Sequence, residues 1–183
     1  MVTCAVFLDR DGVINANVVR DGKPVAPTTL ADFKLLDGVE EAVLRLKEAG
    51  FLIIVVTNQP DLANGRTTQA IMDAMHAELR RRVPVDAIKV CPHVDADNCD
   101  CRKPKPGMII EAAREFSVDL YASYVVGDRW RDVVAGKAAG CLTFYVDYGY
   151  EQDGLCEPDV TVRSLSEAAA YILDKGGCKG GRA

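Results

Sequence analysis

Short, nearly uninterrupted apolar runs alternate along the chain with segments of helical periodicity. The runs at residues 3–9 and 51–57 are rich in β-branched and aromatic side chains and show little polar alternation. Strands of this kind belong to parallel sheets that are covered on both faces. Shorter strands of the same character are predicted at residues 87–90, 123–128 and 142–146.

Helices are predicted between these strands. Val39, Val43, Leu46 and Ala49 recur at helical spacing before Gly50, which supplies a stop. Further helices are predicted at residues 67–83, 107–116, 130–139 and 164–174. The repeated strand–helix order predicts an α/β fold with a single-domain, doubly wound parallel sheet over residues 1–175, and a disordered tail at 176–183.

Composition excludes two classes of partner. Apolar residues make up 49% and charged residues 27% of the 183 residues, which is ordinary for a soluble domain with one core. The net charge of −5 and the absence of a long basic run argue against nucleic-acid binding. No stretch approaches the roughly 18 apolar residues of a membrane span, and the N-terminus does not resemble a signal peptide. We expect a cytoplasmic monomer.

Polar side chains follow the predicted strands, at the sheet edge where ligands bind in such folds. Asp9 and Asp11 follow the first strand, and a carboxylate pair there suits Mg²⁺, although a polar turn uses the same residue types. A hydroxyl and two amides follow the second strand, at Thr57, Asn58 and Gln59. We expect this segment to bind phosphate oxygens, with simple turn capping as the alternative.

A second acidic pair follows the fourth strand. Asp128 and Asp132 stand four residues apart near the start of a helix, after Gly127. The helix dipole would favour carboxylates there even without a metal, so a structural role remains open. The position at a strand end favours a functional role.

A metal site is predicted in the loop of residues 91–101. Its three cysteines and one histidine, Cys91, His93, Cys99 and Cys101, form a set that suits a tetrahedral zinc ion. The alternative is three buried free cysteines beside a surface histidine. Arg102, Lys103 and Lys105 follow at once and are residue types that bind phosphate, whereas Asp95 and Asp97 are expected to be solvated. The roles of four cysteines are left open: Cys4, Cys141, Cys156 and Cys178.

Taken together, these features resemble the haloacid dehalogenase-like phosphatases in order and placement. The shared pattern is Asp-x-Asp after the first strand, Thr after the second, Lys before a helix, and Gly-Asp after the fourth strand. The resemblance implies that Asp9 is a nucleophile forming an aspartyl-phosphate and that Asp11 is the general acid and base. It also implies that Mg²⁺ is held by Asp9, Asp128 and the backbone carbonyl of Asp11.

The same resemblance assigns supporting roles. Thr57 and Lys103 would stabilise the phosphoryl oxygens, and Asp132 would orient the other groups. The segments "FLDRDGVIN", "VVTNQ", "CPH…CDCRKPKPGM" and "VGDRWRD" are similar to the zinc-containing branch of this family. That likeness implies a structural zinc ion, an open site without a cap domain, and Arg102 and Arg129 in contact with the substrate. The amphipathic helix that carries His76 is expected to place that histidine at the surface.

The substrate implied is a small phosphorylated metabolite. Members of the zinc-containing branch act on D-glycero-D-manno-heptose 1,7-bisphosphate or on histidinol phosphate. The "KPKPGM" run favours the 7-phosphate of the heptose bisphosphate, and a bisphosphate would give Arg102 and Arg129 a second anion to bind. The short zinc loop, with Pro60 and Asp61 after "TNQ", favours histidinol phosphate, whose amine would need an acidic partner such as Asp61 or Asp21. A non-catalytic zinc-containing binding protein is the alternative of another class.

Overall fold

The structure, a computed structural model, describes residues 3–20, 23–149, 154, 157–176 and 178. The described strands are β1 (Ala5–Leu8), β2 (Val18–Arg20), β3 (Lys23–Val25), β4 (Leu52–Asn58), β5 (Ala87–Cys91), β6 (Tyr124–Gly127), β7 (Leu142–Val146) and β8 (Val160–Val162). The described α-helices are α1 (Val39–Glu48), α2 (Gln69–Arg82), α3 (Gly107–Phe116), α4 (Trp130–Ala139) and α5 (Leu165–Asp174). All five predicted strands and all five predicted helices are present, with bounds that differ by a few residues at most.

Six strands form one parallel sheet in the order β5-β4-β1-β6-β7-β8. Strand β1 lies inside the sheet, where Phe7 is in register with Ile54 of β4 and with Val125 of β6. Because these three strands run in the same direction, the residues that follow them meet at one edge of the sheet. That edge carries the predicted site.

Both faces of the sheet are covered, as the continuous apolar runs predicted. Val6 and Leu8 of β1 belong to the core that the sheet forms with α1, α2 and α5. Ala5 and Phe7, which point the other way, pack in the core with α3 and α4. The doubly wound single domain is therefore confirmed.

Three short strands were not predicted. Strand β8 extends the sheet with only three residues, too few for a periodic pattern. Strands β2 and β3 form an antiparallel hairpin in the insertion between β1 and α1, and β3 contains Pro24. Within the described residues, this hairpin and a 3₁₀ turn at Leu30–Asp32 are the regular structure of that insertion, which forms a flap rather than a cap domain.

The structure also places two of the four cysteines left open. Cys4 and Cys178 form a disulfide that links the residue before β1 to the chain after α5. The two cysteines are 174 residues apart in sequence, so no local sequence pattern predicts the pairing. Cys141 is a buried free thiol. Cys156 lies outside the described residues, and so do residues 177 and 179–183 of the predicted tail.

Among the described residues, no helix combines the length and hydropathy needed to cross a membrane. The monomeric state and the cytoplasmic location remain predictions.

Candidate active site

Three carboxylates and one ammonium meet at the carboxyl edge of the sheet; Asp9, Lys103, Asp128 and Asp132 are called the Asp9 cluster below. Lys103, in the segment before α3, places its Nζ 2.7 Å from Asp9 Oδ1 and also donates to the carbonyl of Val56 at 2.7 Å. The same Nζ forms an ion pair with Asp132. The cluster thus joins residues that follow β1 and β6 with a residue of α4 and one of the segment before α3.

Burial dominates the electrostatics of this cluster. Burial raises the pKa of Asp9 to about 7, because the nearby Lys103 offsets only part of the desolvation and Asp132 adds to it. Burial also raises the pKa of Asp128 well above its usual range, with Asp9 and Asp132 as further causes. Burial alone would lower the pKa of Lys103, but Asp132 and Asp9 raise it above its usual range, so Lys103 stays cationic.

The donor set suits a hard divalent cation. Asp9, Asp128 and Asp132 each offer an oxygen, and these atoms lie within 4.8 Å of one another. Asp128 Oδ1 is buried and accepts no hydrogen bond within the described part of the chain, so it has a lone pair to offer a cation. Both oxygens of Asp132 are already engaged, by Lys103 and by the backbone N–H of Arg129. Asp132 therefore holds Lys103 and the backbone of Arg129 in place, and its orienting role stays a prediction.

A glycine makes the close packing at this edge possible. Gly12 has a positive φ of 83°, and a Cβ atom there would lie 2.1 Å from Asp128 Oδ2. That oxygen accepts a hydrogen bond from Asn17 Nδ2 at 3.1 Å. Any side chain at position 12 would displace Asp128, which explains the glycine of "DRDG" in physical terms.

Asp11 lies two residues after Asp9 in a different environment; Arg10, Asp11, Asn15 and Gln59 are called the Asp11 cluster below. Arg10 donates to both oxygens of Asp11, at 2.9 Å and 3.1 Å from Nη2. Asn15 donates to Oδ1 at 2.9 Å and Gln59 to Oδ2 at 2.6 Å. Both carboxylate oxygens are thus held by hydrogen bonds.

Arg10 is itself completely buried, and α2 supports it from behind. Its Nη1 donates to Met72 Sδ at 2.9 Å and lies 3.3 Å from His76 Nε2. The expectation that His76 lies at the surface is wrong: its side chain is buried, because helix α2 turns it towards Arg10. Burial lowers the pKa of His76 to about 4, and the charges of Arg10 and Arg80 lower it further. The ring is therefore neutral, and its Nε2 can accept a hydrogen bond from Arg10 Nη1.

The 91–101 loop brings its four predicted ligands together. The Sγ of Cys101 lies 3.3 Å from that of Cys91 and 3.4 Å from that of Cys99, and His93 Nδ1 lies 3.3 Å from Cys101 Sγ. Four such atoms at these separations fit the corners of a tetrahedral zinc site. All three thiols are free of disulfides.

A pocket of about 320 Å³ opens beside the Asp9 cluster. Its lining includes the predicted substrate residues Asn58, Arg102 and Arg129, together with Arg66 and Arg131. Lys105 instead reaches back to the 91–101 loop, where its Nζ donates to Asn98 Oδ1 at 2.9 Å.

Some predicted contacts with substrate oxygens are occupied by the protein. The Asn58 amide accepts from the backbone N–H of Lys103 at 3.1 Å and donates to its carbonyl at 3.0 Å, so it anchors the Lys103 segment. Gln59 is buried, and its amide donates to Asp11 and to Thr57 Oγ1. Arg129 Nε lies 3.4 Å from Asp128 Oδ2, and its Nη2 donates to the carbonyl of Pro24.

Comparison with known proteins identifies the family. A family model for haloacid dehalogenase-like hydrolases matches residues 7–140. The chain belongs to the haloacid dehalogenase-like hydrolases. Two similar proteins are both named D-glycero-beta-D-manno-heptose-1,7-bisphosphate 7-phosphatase. The one from Bordetella bronchiseptica is 36% identical over 93% of this chain and 98% of its own length. The one from Pseudomonas aeruginosa is 40% identical over 79% and 81%.

Solved structures of haloacid dehalogenase-like proteins share the fold. The crystal structure of D,D-heptose 1,7-bisphosphate phosphatase from B. bronchiseptica, complexed with magnesium and phosphate, superposes with a TM-score of 0.83. It is 33% identical and covers 95% of this chain and 100% of that one. A phosphatase of the family from Thermococcus onnurineus, at 14% identity and a TM-score of 0.66, shows the fold alone. The resemblance seen in the sequence is confirmed at the level of the family.

The polar residues at this haloacid dehalogenase-like site that were not predicted include Arg10, Asn15, Asn17, Asp95 and Arg131. Asn15 and Asn17 belong to the polar run after the first strand and could have been considered with Asp9 and Asp11. The contact between Asp95 and Arg131 joins residues 36 positions apart, and no sequence pattern indicates it.

Proposed function

We propose that the chain is a Mg²⁺-dependent phosphomonoesterase that removes the 7-phosphate of D-glycero-D-manno-heptose 1,7-bisphosphate. The observation that carries the chemistry is the Asp9 cluster, in which a strand-end carboxylate pairs with a buried lysine beside the unsatisfied oxygen of Asp128. The substrate rests on the names of the relatives at 36% and 40% identity.

The proposed Mg²⁺ ligands are Asp9, Asp128 and the backbone carbonyl of Asp11. The excess of buried carboxylates over ammonium groups and the unsatisfied Asp128 Oδ1 support this assignment, since Mg²⁺ prefers oxygen ligands. When bound, the ion would offset the repulsion between an anionic nucleophile and a phosphate dianion. Asp132 would act by holding Lys103 rather than as a ligand.

The reaction uses Asp9 as nucleophile. An Asp9 oxygen attacks phosphorus and forms an aspartyl-phosphate, while the ester P–O bond breaks and Asp11 gives its proton to the departing alkoxide. Water then attacks phosphorus and loses a proton to Asp11, and the bond to Asp9 breaks to release inorganic phosphate. Lys103 and Thr57 would stabilise the phosphoryl oxygens as charge shifts onto them.

The hydrogen bonds of Asp11 orient its carboxyl group for both half-reactions. The ion pair with Arg10 favours the ionised form, so the proton that Asp11 gives to the alkoxide has to be taken up when the substrate binds. Arg10, Asn15 and Gln59 fix its carboxyl group within reach of the pocket without using the pocket-lining cations. A general acid and base must keep its orientation through both half-reactions, and a fixed carboxyl group avoids reorganisation between them.

We assign a structural Zn²⁺ to Cys91, His93, Cys99 and Cys101. The support is their mutual distances and the covalent link from Cys101 through Arg102 to Lys103. Cys99→Ser or Cys101→Ser should lose zinc, lower the melting temperature and reduce activity, while Mg²⁺ affinity stays at the wild-type value. Zinc content by mass spectrometry and calorimetric Mg²⁺ titration measure this. Full activity in a zinc-free protein would contradict the assignment.

The charge of the pocket favours a bisphosphate over histidinol phosphate. Four arginines and Lys103 line it beside four aspartates, so its cations outnumber its carboxylates by one, and this balance favours a second phosphate over a cationic amine. The arginines are Arg66, Arg102, Arg129 and Arg131, and the aspartates are Asp9, Asp11, Asp61 and Asp132. Asp61, the expected partner for an amine, pairs with Arg66 at 3.4 Å. Asp21, the other expected partner, lies outside the described residues.

The deciding measurement compares kcat/KM for heptose 1,7-bisphosphate and histidinol phosphate, with Mg²⁺ present. We expect the heptose ester to be preferred by about a hundredfold or more, as for sites that pair a substrate charge. A preference for histidinol phosphate would overturn the proposed substrate and leave the proposed mechanism unchanged. If neither ester nor p-nitrophenyl phosphate releases phosphate with Asp9 and Mg²⁺ intact, the protein is a binding protein on a phosphatase fold.

A further inference from the structure

A carboxylate of the 91–101 loop bridges two arginines at the edge of the pocket. Asp95 Oδ1 accepts from Arg102 Nε at 2.6 Å and from Arg131 Nη1 at 2.9 Å. Asp95 Oδ2 accepts from Arg131 Nη2 at 3.1 Å, so the pair with Arg131 is bidentate. Asp95 is exposed, as predicted for a solvated loop residue, but the ion pairs of both its oxygens with guanidinium groups were not predicted.

Each arginine has a second support. Arg102 Nη1 donates to the carbonyl of His93 at 3.0 Å, which fixes the guanidinium plane against the 91–101 loop. The Arg131 guanidinium lies over the Trp130 ring, 5.0 Å from its centroid. Two long side chains are thereby held in one arrangement before any substrate arrives.

The bridge leaves positive charge facing the pocket. Two guanidinium groups share one carboxylate, and Arg102 and Arg131 both line the cavity that contains Asp9 and Lys103. Within the described residues, Arg102 donates through Nε and Nη1, so its Nη2 is available to an anion. Arg131 donates to Asp95 through Nη1 and Nη2, so its Nε is available. Guanidinium groups fixed in this way lose little entropy when they bind an anion.

We propose that Asp95 is a positioning residue that holds Arg102 and Arg131 as a fork for a second anionic group of the substrate. The proposal rests on the proposed function in one respect, that a phosphoryl group occupies the Asp9 cluster. It adds Arg131 as a binding residue and gives the short 91–101 loop a role in selectivity. The second anion is a phosphate carried by the same molecule.

The test is a ratio of specificity constants for two esters that differ by one phosphate. For each variant, kcat/KM is measured with heptose 1,7-bisphosphate and with heptose 7-phosphate. Asp95→Asn should lower the ratio about tenfold, mainly through a higher KM for the bisphosphate, because a fixed charge-assisted contact is lost. Arg131→Gln should lower it by a similar factor, and the double variant should fall little further, since both changes break one interaction.

Asp97→Asn is the matched control. It removes the same charge from the same loop, and its amide oxygen can still accept from the backbone N–H of Val94, as Asp97 does at 2.8 Å. Its ratio should equal that of the wild type. Zinc content is measured for each variant, so that a displaced loop is recognised.

Three results would overturn the proposal. Asp95→Asn could raise the ratio, which would mean that the carboxylate competes with the substrate anion. Asp95→Asn could leave the ratio unchanged. Asp97→Asn could lower the ratio as much as Asp95→Asn does, which would mean that the effect comes from the net charge of the loop and not from the contacts of Asp95.

Failure of the heptose substrate is distinguishable from failure of the fork. If only p-nitrophenyl phosphate is hydrolysed, fructose 1,6-bisphosphate and fructose 6-phosphate are tested as inhibitors of that reaction. If fructose 1,6-bisphosphate inhibits the wild type more strongly than fructose 6-phosphate, and Asp95→Asn reduces that difference about tenfold, the fork is supported for another substrate. Equal inhibition by both sugars in the wild type overturns it.

Discussion

The Asp9 cluster and the Asp11 cluster start from neighbouring residues of one strand end and differ in charge balance. In the Asp9 cluster, Asp9 and Asp132 share the ammonium group of Lys103, and the third buried carboxylate, Asp128, has an Oδ1 atom that accepts no hydrogen bond from any described residue. In the Asp11 cluster, one carboxylate meets one guanidinium group, and both of its oxygens accept hydrogen bonds.

The difference shows how a single strand end can supply two kinds of chemistry. Buried negative charge without a partner is unfavourable, and this is why the pKa values of Asp9 and Asp128 are raised. A bound cation would remove that penalty. The charge of Asp11 is already balanced by Arg10, so the protein fixes that carboxyl group without needing a metal. Four predictions test this contrast.

The largest effect is expected from Asp9→Asn. The amide is isosteric but cannot act as the nucleophile, so kcat for any phosphate ester should fall about a thousandfold or more. The measurement is phosphate release under saturating Mg²⁺, with the exposed Asp37→Asn as a control that keeps wild-type activity. Retention of activity in Asp9→Asn would require a different nucleophile.

Arg10→Met should cause the largest loss of stability in the Asp11 cluster. It leaves the carboxylate of Asp11 buried without its cation, and breaking such a pair costs about 3–5 kcal/mol in the free energy of unfolding. Arg10→Lys keeps the charge but not the bidentate geometry, so its free energy of unfolding should lie between those of the wild type and Arg10→Met. Urea unfolding in Mg²⁺-free buffer measures both. A loss for Arg10→Met within about 1 kcal/mol of zero would mean that Asp11 is solvated or protonated instead.

Mg²⁺ should stabilise the protein through the carboxylates of the Asp9 cluster and not through the carboxylate of Asp11. At a concentration one hundred times Kd, a ligand that binds only the folded state adds about 2.7 kcal/mol. Asp128→Asn should lose most of this gain, whereas Arg10→Met should keep it despite its lower stability. Melting temperatures with and without Mg²⁺ report the gain. Equal gains in the two variants would show that Mg²⁺ binds elsewhere.

Much of this contrast was predictable from the sequence. Parallel strands bring their carboxyl ends together, so Asp9, Thr57 and Asp128 had to meet once the strands were recognised. Their roles at those positions remain proposals. The four ligands of the 91–101 loop are close in sequence, and their spacing alone predicted a cluster.

Other contacts depend on side-chain directions that no periodicity determines. The Asp95–Arg131 bridge joins a loop to a helix 36 residues later, and the β2–β3 hairpin has strands of only three residues each. His76 was misjudged because a helix with arginines on several sides leaves the buried face ambiguous, and Arg10 gives a histidine a reason to be buried.

The smallest effect is expected from His76→Gln, which tests the support behind the Asp11 cluster. The pKa of His76 is lowered by burial to about 4 from an ordinary 6.5, so the unfolded chain binds more protons than the folded one between these values. The free energy of unfolding must therefore fall as the pH drops through that window. Between pH 7.5 and pH 5 the wild type should lose on the order of 2 kcal/mol more than His76→Gln, whose amide can still accept from Arg10. Urea unfolding curves at several pH values measure the difference, with Asp37→Asn following the wild type. Parallel pH profiles for the wild type and His76→Gln would show that the ring is accessible to protons in the folded state and does not support Arg10 as a neutral acceptor.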